Sequence, residues 1–315
     1  MFSLELFLIA FIAVAVLLVT AVPGYLLIKK KMIGEECISG FSKVMLYVCQ
    51  PCLAVYSFQT AEYSPEKLGE LGLFALLSVT IMIVMLSGTY LVLRKKCKDP
   101  VYRIMTIATS FSNCAFFGIP VIEALMPEQA GEMIVYTTVF AVVMNIAGWT
   151  VGSAIISQNP KYMSPKKIFL NPATLGTAVA LVLFITGVPI QADFGNMITI
   201  LGKMCSPLSM LIMGMRLATM KFAPMFTDLR VYFTVAVKQL VMPAVAFLMV
   251  VFLPFAPEFR AAFFIICACP AASVVLNFAE IVGEGQREAA NTVLLSTILS
   301  IVTIPTMMLL LPLLL

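Results

Sequence analysis

Apolar runs, each about as long as a bilayer-crossing helix, succeed one another along this chain with only short polar interruptions. A span needs about 20 consecutive apolar residues. Ten runs meet that length, near 2–28, 39–60, 68–93, 101–126, 132–156, 168–188, 196–217, 229–253, 259–282 and 288–314. The pattern predicts an all-α integral membrane protein whose ten spans and short loops use up the length, so no separate soluble domain is expected. The first run is too long for a signal-peptide core, lacks a small-residue cleavage site and is followed by Lys29-Lys30-Lys31, so it is expected to remain as a span.

Composition supports this class. Hydrophobic residues make up 61% of the 315 positions and charged residues 11%, against about 45–50% and 25% in a soluble domain. Most of the eight cysteines fall inside apolar runs, where Cys behaves as a small hydrophobe. The chain has no histidine, so Cys49-x-x-Cys52 reads as packing, and neither a metal nor a cofactor is expected. No nucleic-acid partner is expected, and the bilayer itself is the surrounding medium.

Charge then gives sidedness. Basic residues cluster in alternate loops: Lys29 to Lys31, Arg94 to Arg103, Lys161 to Lys167, Arg216 to Arg230, and Arg287. The opposite loops hold only Lys67 and Arg260, beside several glutamates. The positive-inside rule makes the first set cytoplasmic, placing the protein in the cell membrane with both termini external.

The halves also echo each other at a spacing of 156–157 residues. Tyr102-Arg103 matches Phe259-Arg260, Glu123 matches Glu280, Gln129 matches Gln286, and Pro51 sits opposite Pro207. Five spans per half is an odd number, so the second copy enters from the opposite face. The expected domains are residues 1–157 and an inverted repeat over 158–315. Such repeats place a transport site at their interface.

Two spans carry helix breakers. In SFSNCAFFGIPVIEAL, Gly118 and Pro120 are expected to interrupt the fourth; in CACPAASVVLNFAE, Pro270 is expected to interrupt the ninth. Unwound backbone at membrane depth belongs where a cavity is lined, and a half-helix N-terminus attracts an anion. Across the repeat Asn113 lies opposite Pro270 and Pro120 opposite Asn277, so each span holds one Pro and one Asn in reversed order. The simpler interpretation is two kinked helices whose Asn side chains cap the kinks.

Lys238 lies mid-way along the eighth run. A lysine at a helix centre costs roughly 2.5–3.5 kcal/mol to insert and normally has a partner. It is a candidate counter-ion to an anionic substrate or to an internal group. A lysine away from water can also exchange a proton, which makes a proton a candidate coupling ion. Asn145 is a weaker candidate, equally readable as an interhelical hydrogen bond. Gln50 is read as satisfying the kink at Pro51. Asn171-Pro172 reads as an N-cap followed by Pro at the first helical position, and Lys203 as a residue reaching an interface.

GYLLIKKKMI with FSKVMLYVCQPCLAVYSF, then SFSNCAFFGIPVIEAL, NPATLGTAVALVLFITGVPI, KQLVMP and CPAASVVLNFAE, together resemble the auxin efflux carrier family in its bacterial branch. The resemblance implies a five-plus-five inverted repeat like the bile-acid symporter and sodium/proton antiporter folds. It implies a scaffold of about 1–60 and 168–217 and a transport unit of about 68–157 and 229–315. The broken fourth and ninth helices would cross near the midplane, with the site at Asn113, Gly118 and Pro120, and at Pro270, Ser273 and Asn277. The antiporter relatives carry a Lys where Lys238 stands. They have acids where this chain has Met144-Asn145, so antiporter-like cation exchange is disfavoured. The connection at 157–167 is short, unlike the long loop of plant auxin exporters. Bacterial relatives are often associated with small dicarboxylates.

The expected function is therefore a secondary transporter of small organic anions, a dicarboxylate among them, working by elevator-type alternating access, with a homodimer as a candidate assembly. One alternative is a sodium-coupled symporter of the bile-acid type, with Ser112, Asn113, Ser273, Asn277 and Glu280 as oxygen ligands. Another is a membrane sensor that binds a sterol or metabolite without moving it. An enzyme is not expected, since no histidine and no dyad at helical spacing is present.

Overall fold

A computed structural model describes residues 2–59, 63–158, 172–220 and 222–315. Asn171, Lys161, Lys166, Lys167, Lys221 and Glu62 lie outside the described residues. Within them the chain is helical, and seven helices are long and apolar enough to cross a membrane. In chain order the elements are α1 (Phe2–Lys29), α2 (Cys37–Gln59), α3 (Pro65–Leu93), α4 (Pro100–Ala108), α5 (Cys114–Leu125), α6 (Ala130–Ser157), α7 (Pro172–Thr186), α8 (Ala192–Thr219), α9 (Leu229–Val250), α10 (Pro257–Ala268), α11 (Val274–Val282) and α12 (Gln286–Met308).

Side-chain caps fix several helix starts. Ser64 accepts from the Lys67 N–H at 3.0 Å with Pro65 in the first turn, and Asp99 accepts from Val101 at 2.9 Å ahead of α4. Asp228 does the same for α9 through the Arg230 N–H, and the Arg230 guanidinium also donates to it. Those bonds hold the Asp228 carboxyl below the usual carboxylate range.

Proline shapes the helices in a consistent way. Widened π-turns at Met45–Cys49, Cys114–Gly118 and Val237–Val241 each end two residues before a proline: Pro51, Pro120 and Pro243. A proline ring clashes with the carbonyl four residues earlier. In each case that carbonyl belongs to the middle residue of the π-turn (Tyr47, Phe116, Gln239), where the wider turn relieves the clash. This corrects the expectation that Gly118 and Pro120 interrupt the fourth span. The chain instead unwinds earlier, at residues 109–113, and the π-turn carries it past Pro120 without a break. Pro270 does fall in the unwound segment between α10 and α11, as expected.

Helices approach closely where side chains vanish. A methyl group built on Gly24 would overlap the Leu211 carbonyl, and one on Gly214 would overlap that of Ala21, so α1 and α8 meet backbone to backbone. Gly176 of α7 packs in the same way on Pro51 of α2, and Gly202 of α8 on Leu53. Elsewhere α10 is buried on every side from Ala261 to Ala268. It is wrapped by α3, α6 and α9, with Phe74 stacked on Tyr136 at 4.8 Å and edge-on to Phe259 and Phe263.

The glycine seam generates a prediction. Gly214→Val is expected to cost about 1–3 kcal/mol, the usual range for overpacking, and to lower the thermal midpoint of the detergent-purified protein. Gly88→Val, at an exposed position where an added Cβ would meet nothing within 4 Å, is expected to leave it nearly unchanged.

Candidate functional site

The two unwound segments lie against each other and run antiparallel. Asn113 donates its N–H to the Pro270 carbonyl at 2.8 Å, and Ala272 donates to the Phe111 carbonyl at 3.0 Å, with Ser112 facing Ala271 between them. Each break thus supplies the partners that the other lacks, as backbone buried away from water requires. Proline suits its position because it accepts but has no N–H to satisfy. From behind, the Ser296 hydroxyl accepts from the Ala271 N–H at 3.1 Å, and Gln239 donates to the Ser296 carbonyl at 2.8 Å.

Lys238 belongs to this supporting layer. It is fully buried, and its Nζ donates to the carbonyls of Cys267 and Cys269 at 2.9 and 2.7 Å. These are orphan carbonyls at the C-terminal end of α10, where a cation is favoured by the helix dipole. The opposite break has no lysine. There the Thr109 hydroxyl donates to the Thr106 carbonyl at 2.9 Å, and Thr89 pairs with Thr109 at 3.0 Å.

In front of the crossover lies a cavity of about 710 Å³, within the size range of small-molecule sites. Asn113 to Phe116, at the start of α5, and Ser273 and Val274, at the start of α11, form its inner wall. The N–H groups of Cys114, Ala115 and Phe116 precede the first intrahelical bond of α5, which runs from Phe117 to the Asn113 carbonyl. Two helix N-termini therefore face one space. Met144 and Asn145 of α6, Gln50 of α2, and Ser209, Ile212 and Met213 of α8 form other walls. Trp149, the only tryptophan in the chain, lines it too.

Of the predicted site residues, the structure brings Asn113, Ser273 and Asn145 together on the cavity wall. The Asn145 amide donates to the Ala141 carbonyl of its own helix at 3.0 Å. Among the described residues the side chains of Asn113 and Ser273 make no hydrogen bond with the protein. Gly118 stands behind the wall, where a Cβ would lie 3.1 Å from the Cys269 sulfur, so glycine permits close packing there. Pro120 lies inside α5 and Pro270 in the paired backbone. Asn277 lies in α11, its side chain outside those described. Lys238 is not among the residues that line the cavity, and both its short hydrogen bonds go to carbonyls.

Sequence reasoning missed an ion pair at the cavity's edge. Arg216 of α8 meets Glu280 of α11 at 2.8 Å, and both line the cavity. The charge pattern reads Arg216 only as one of the cytoplasmic loop charges. The signal was helical spacing: Ser209, Ile212, Met213 and Arg216 recur every three or four residues on one face of α8. Glu123 of α5, 157 residues before Glu280 in the sequence, lies within electrostatic range of Lys203, also on α8.

Two broken helices meeting at a cavity inside a polyhelical membrane fold is the arrangement found in transport proteins. The profile of the membrane transport protein family matches residues 9–165 and 161–308, so the chain belongs to that family, the auxin efflux carriers that its motifs resemble. No curated protein matches the chain.

If Lys238 acts by closing the end of α10, Lys238→Met leaves two buried carbonyls unpaired, each worth about 1–3 kcal/mol. The expected outcome is a clear fall in thermal midpoint in detergent. A variant of unchanged stability that had lost all transport would contradict this role.

Proposed function

We propose that this chain is a secondary transporter of small organic carboxylate anions across the cytoplasmic membrane, moving by an elevator-type mechanism with the crossover cavity as its site. The observation that carries the proposal is the convergence of two half-helix N-termini, with the unpaired side chains of Asn113 and Ser273, on one cavity. Aligned peptide dipoles put partial positive charge at those ends, so they favour an anion. Asn and Ser offer directional hydrogen bonds to a carboxylate, and the apolar walls suit a carbon skeleton.

The inverted repeat is part of the same proposal, and the pairing geometry supports it. Under a repeat spacing of 157 residues and an antiparallel pairing, only one pair can map onto itself. That pair is Asn113 with Pro270, and these two are hydrogen-bonded. Cys49 of α2 and Cys205 of α8, both buried, stand 156 residues apart, close to the same spacing. A pseudo-two-fold axis passing through the Asn113–Pro270 contact would relate the five spans of residues 1–157 to those of 158–315. The α1–α2 and α7–α8 helices then form the scaffold, and the rest the moving unit. Both termini are external in this arrangement, and a proton is retained as candidate coupling ion.

The test is counterflow in proteoliposomes preloaded with malate, malonate, citrate, lactate or indole-acetate, with sodium present or replaced. Saturable exchange of at least one acid is expected, independent of sodium and weakened roughly tenfold or more in Asn113→Ala, as for loss of a charge-assisted hydrogen bond. Exchange of none of the five would count against an organic-anion carrier. Exchange only with sodium would favour the symporter.

A further inference from the structure

Arg216 is the one fixed positive side chain on the cavity wall among the described residues. It contacts Glu280 through a single nitrogen–oxygen pair, Nη1 to Oε1. A guanidinium has five N–H donors and binds a carboxylate most strongly in two-point fashion. Among the described residues its other N–H groups make no hydrogen bond with the protein, so much of its donor capacity is unused.

The pair is also easily exchanged. The Arg216 and Glu280 side chains are 27% and 46% exposed, and half-exposed ion pairs contribute little net stability. Apart from this bridge, α8 and α11 scarcely touch. Glu280 thus spans a gap to reach Arg216, and packing does not force the two together.

We infer that Arg216 is the residue that recognises the carboxylate of the transported anion, and that Glu280 occupies its place as an internal competitor when the cavity is empty. This rests on the organic-anion reading above and deepens it. An arriving carboxylate exchanges with Glu280 on the guanidinium, so Arg216 stays paired while the released Glu280 side chain, 46% exposed, is solvated. The bridge between α8 and α11 opens in the same event. In the proposed architecture those helices belong to the scaffold and the moving unit, so loading releases the moving unit. The empty carrier stays tethered, which favours exchange over net flux.

Counterflow and net efflux of the best-exchanged acid of the panel would be measured for the full-length protein and four variants. Arg216→Gln is expected to raise KM at least about tenfold, the scale of a lost charge-assisted carboxylate contact. Glu280→Gln, which removes the competitor, is expected to lower KM several-fold and to raise net efflux relative to exchange. Lys203→Gln, a cation off the cavity wall, should leave KM unchanged. The charge-swapped Arg216→Glu/Glu280→Arg restores an ion pair but presents the cation from the wrong helix, and it should not recover wild-type KM. A rise in KM for Glu280→Gln matching that of Arg216→Gln, or recovery by the swap, would show a merely structural bridge and overturn the inference. Unchanged KM in all variants of a working carrier would overturn it while leaving the carrier reading intact. A wild type that exchanges no acid would remove both.

Discussion

The fold depends on one requirement: unwound backbone in a water-poor interior must find partners. Two broken helices meet it by pairing with each other. The Asn113-to-Pro270 and Ala272-to-Phe111 hydrogen bonds tie two segments far apart in sequence into a short antiparallel link. Leaving even one such group unpaired in an apolar setting costs several kcal/mol. The link is therefore difficult to dissolve, and it fixes where all four half-helices begin and end. Lys238 closes the remaining carbonyls of α10 from behind, and threonine hydroxyls do so for α4.

A functional asymmetry follows from that closure. At the crossover, helix C-termini are capped inside the packed core, while the N-termini of α5 and α11 open onto the cavity. The cation that drew attention in the sequence serves the packed side. The open side is left with oriented N–H groups, two unpaired polar side chains, and Arg216 held by Glu280. Substrate attraction can then come from dipoles and an exchangeable ion pair, with no bare charge facing lipid.

Much of this was legible in the sequence. Run lengths anticipated the extents of the seven long helices closely, because a bilayer admits few alternatives. Pro270 marked its break because a residue without an N–H suits a segment that only accepts there. Pro120 misled because a π-turn absorbs its clash, and nothing in a single sequence separates a π-turn from a break. Lys238 stands out in the sequence as a mid-span cation, and in the structure its partners are two carbonyls of the α10 end. Which partner depended on the orientation of α10, which periodicity cannot give for a helix buried all round. Arg216 was hidden by its place at the end of a run, where a basic residue usually signals only topology.

The most direct test of the account is occupancy of the crossover cavity by an organic anion. Trp149, the chain's single tryptophan, lines that cavity beside Phe278, so its fluorescence reports on the space without labelling. Titration of the purified protein with each acid of the panel should give a saturable change for at least one, abolished in Asn113→Ala. A flat response to every acid in protein that is folded by its thermal transition would contradict the account.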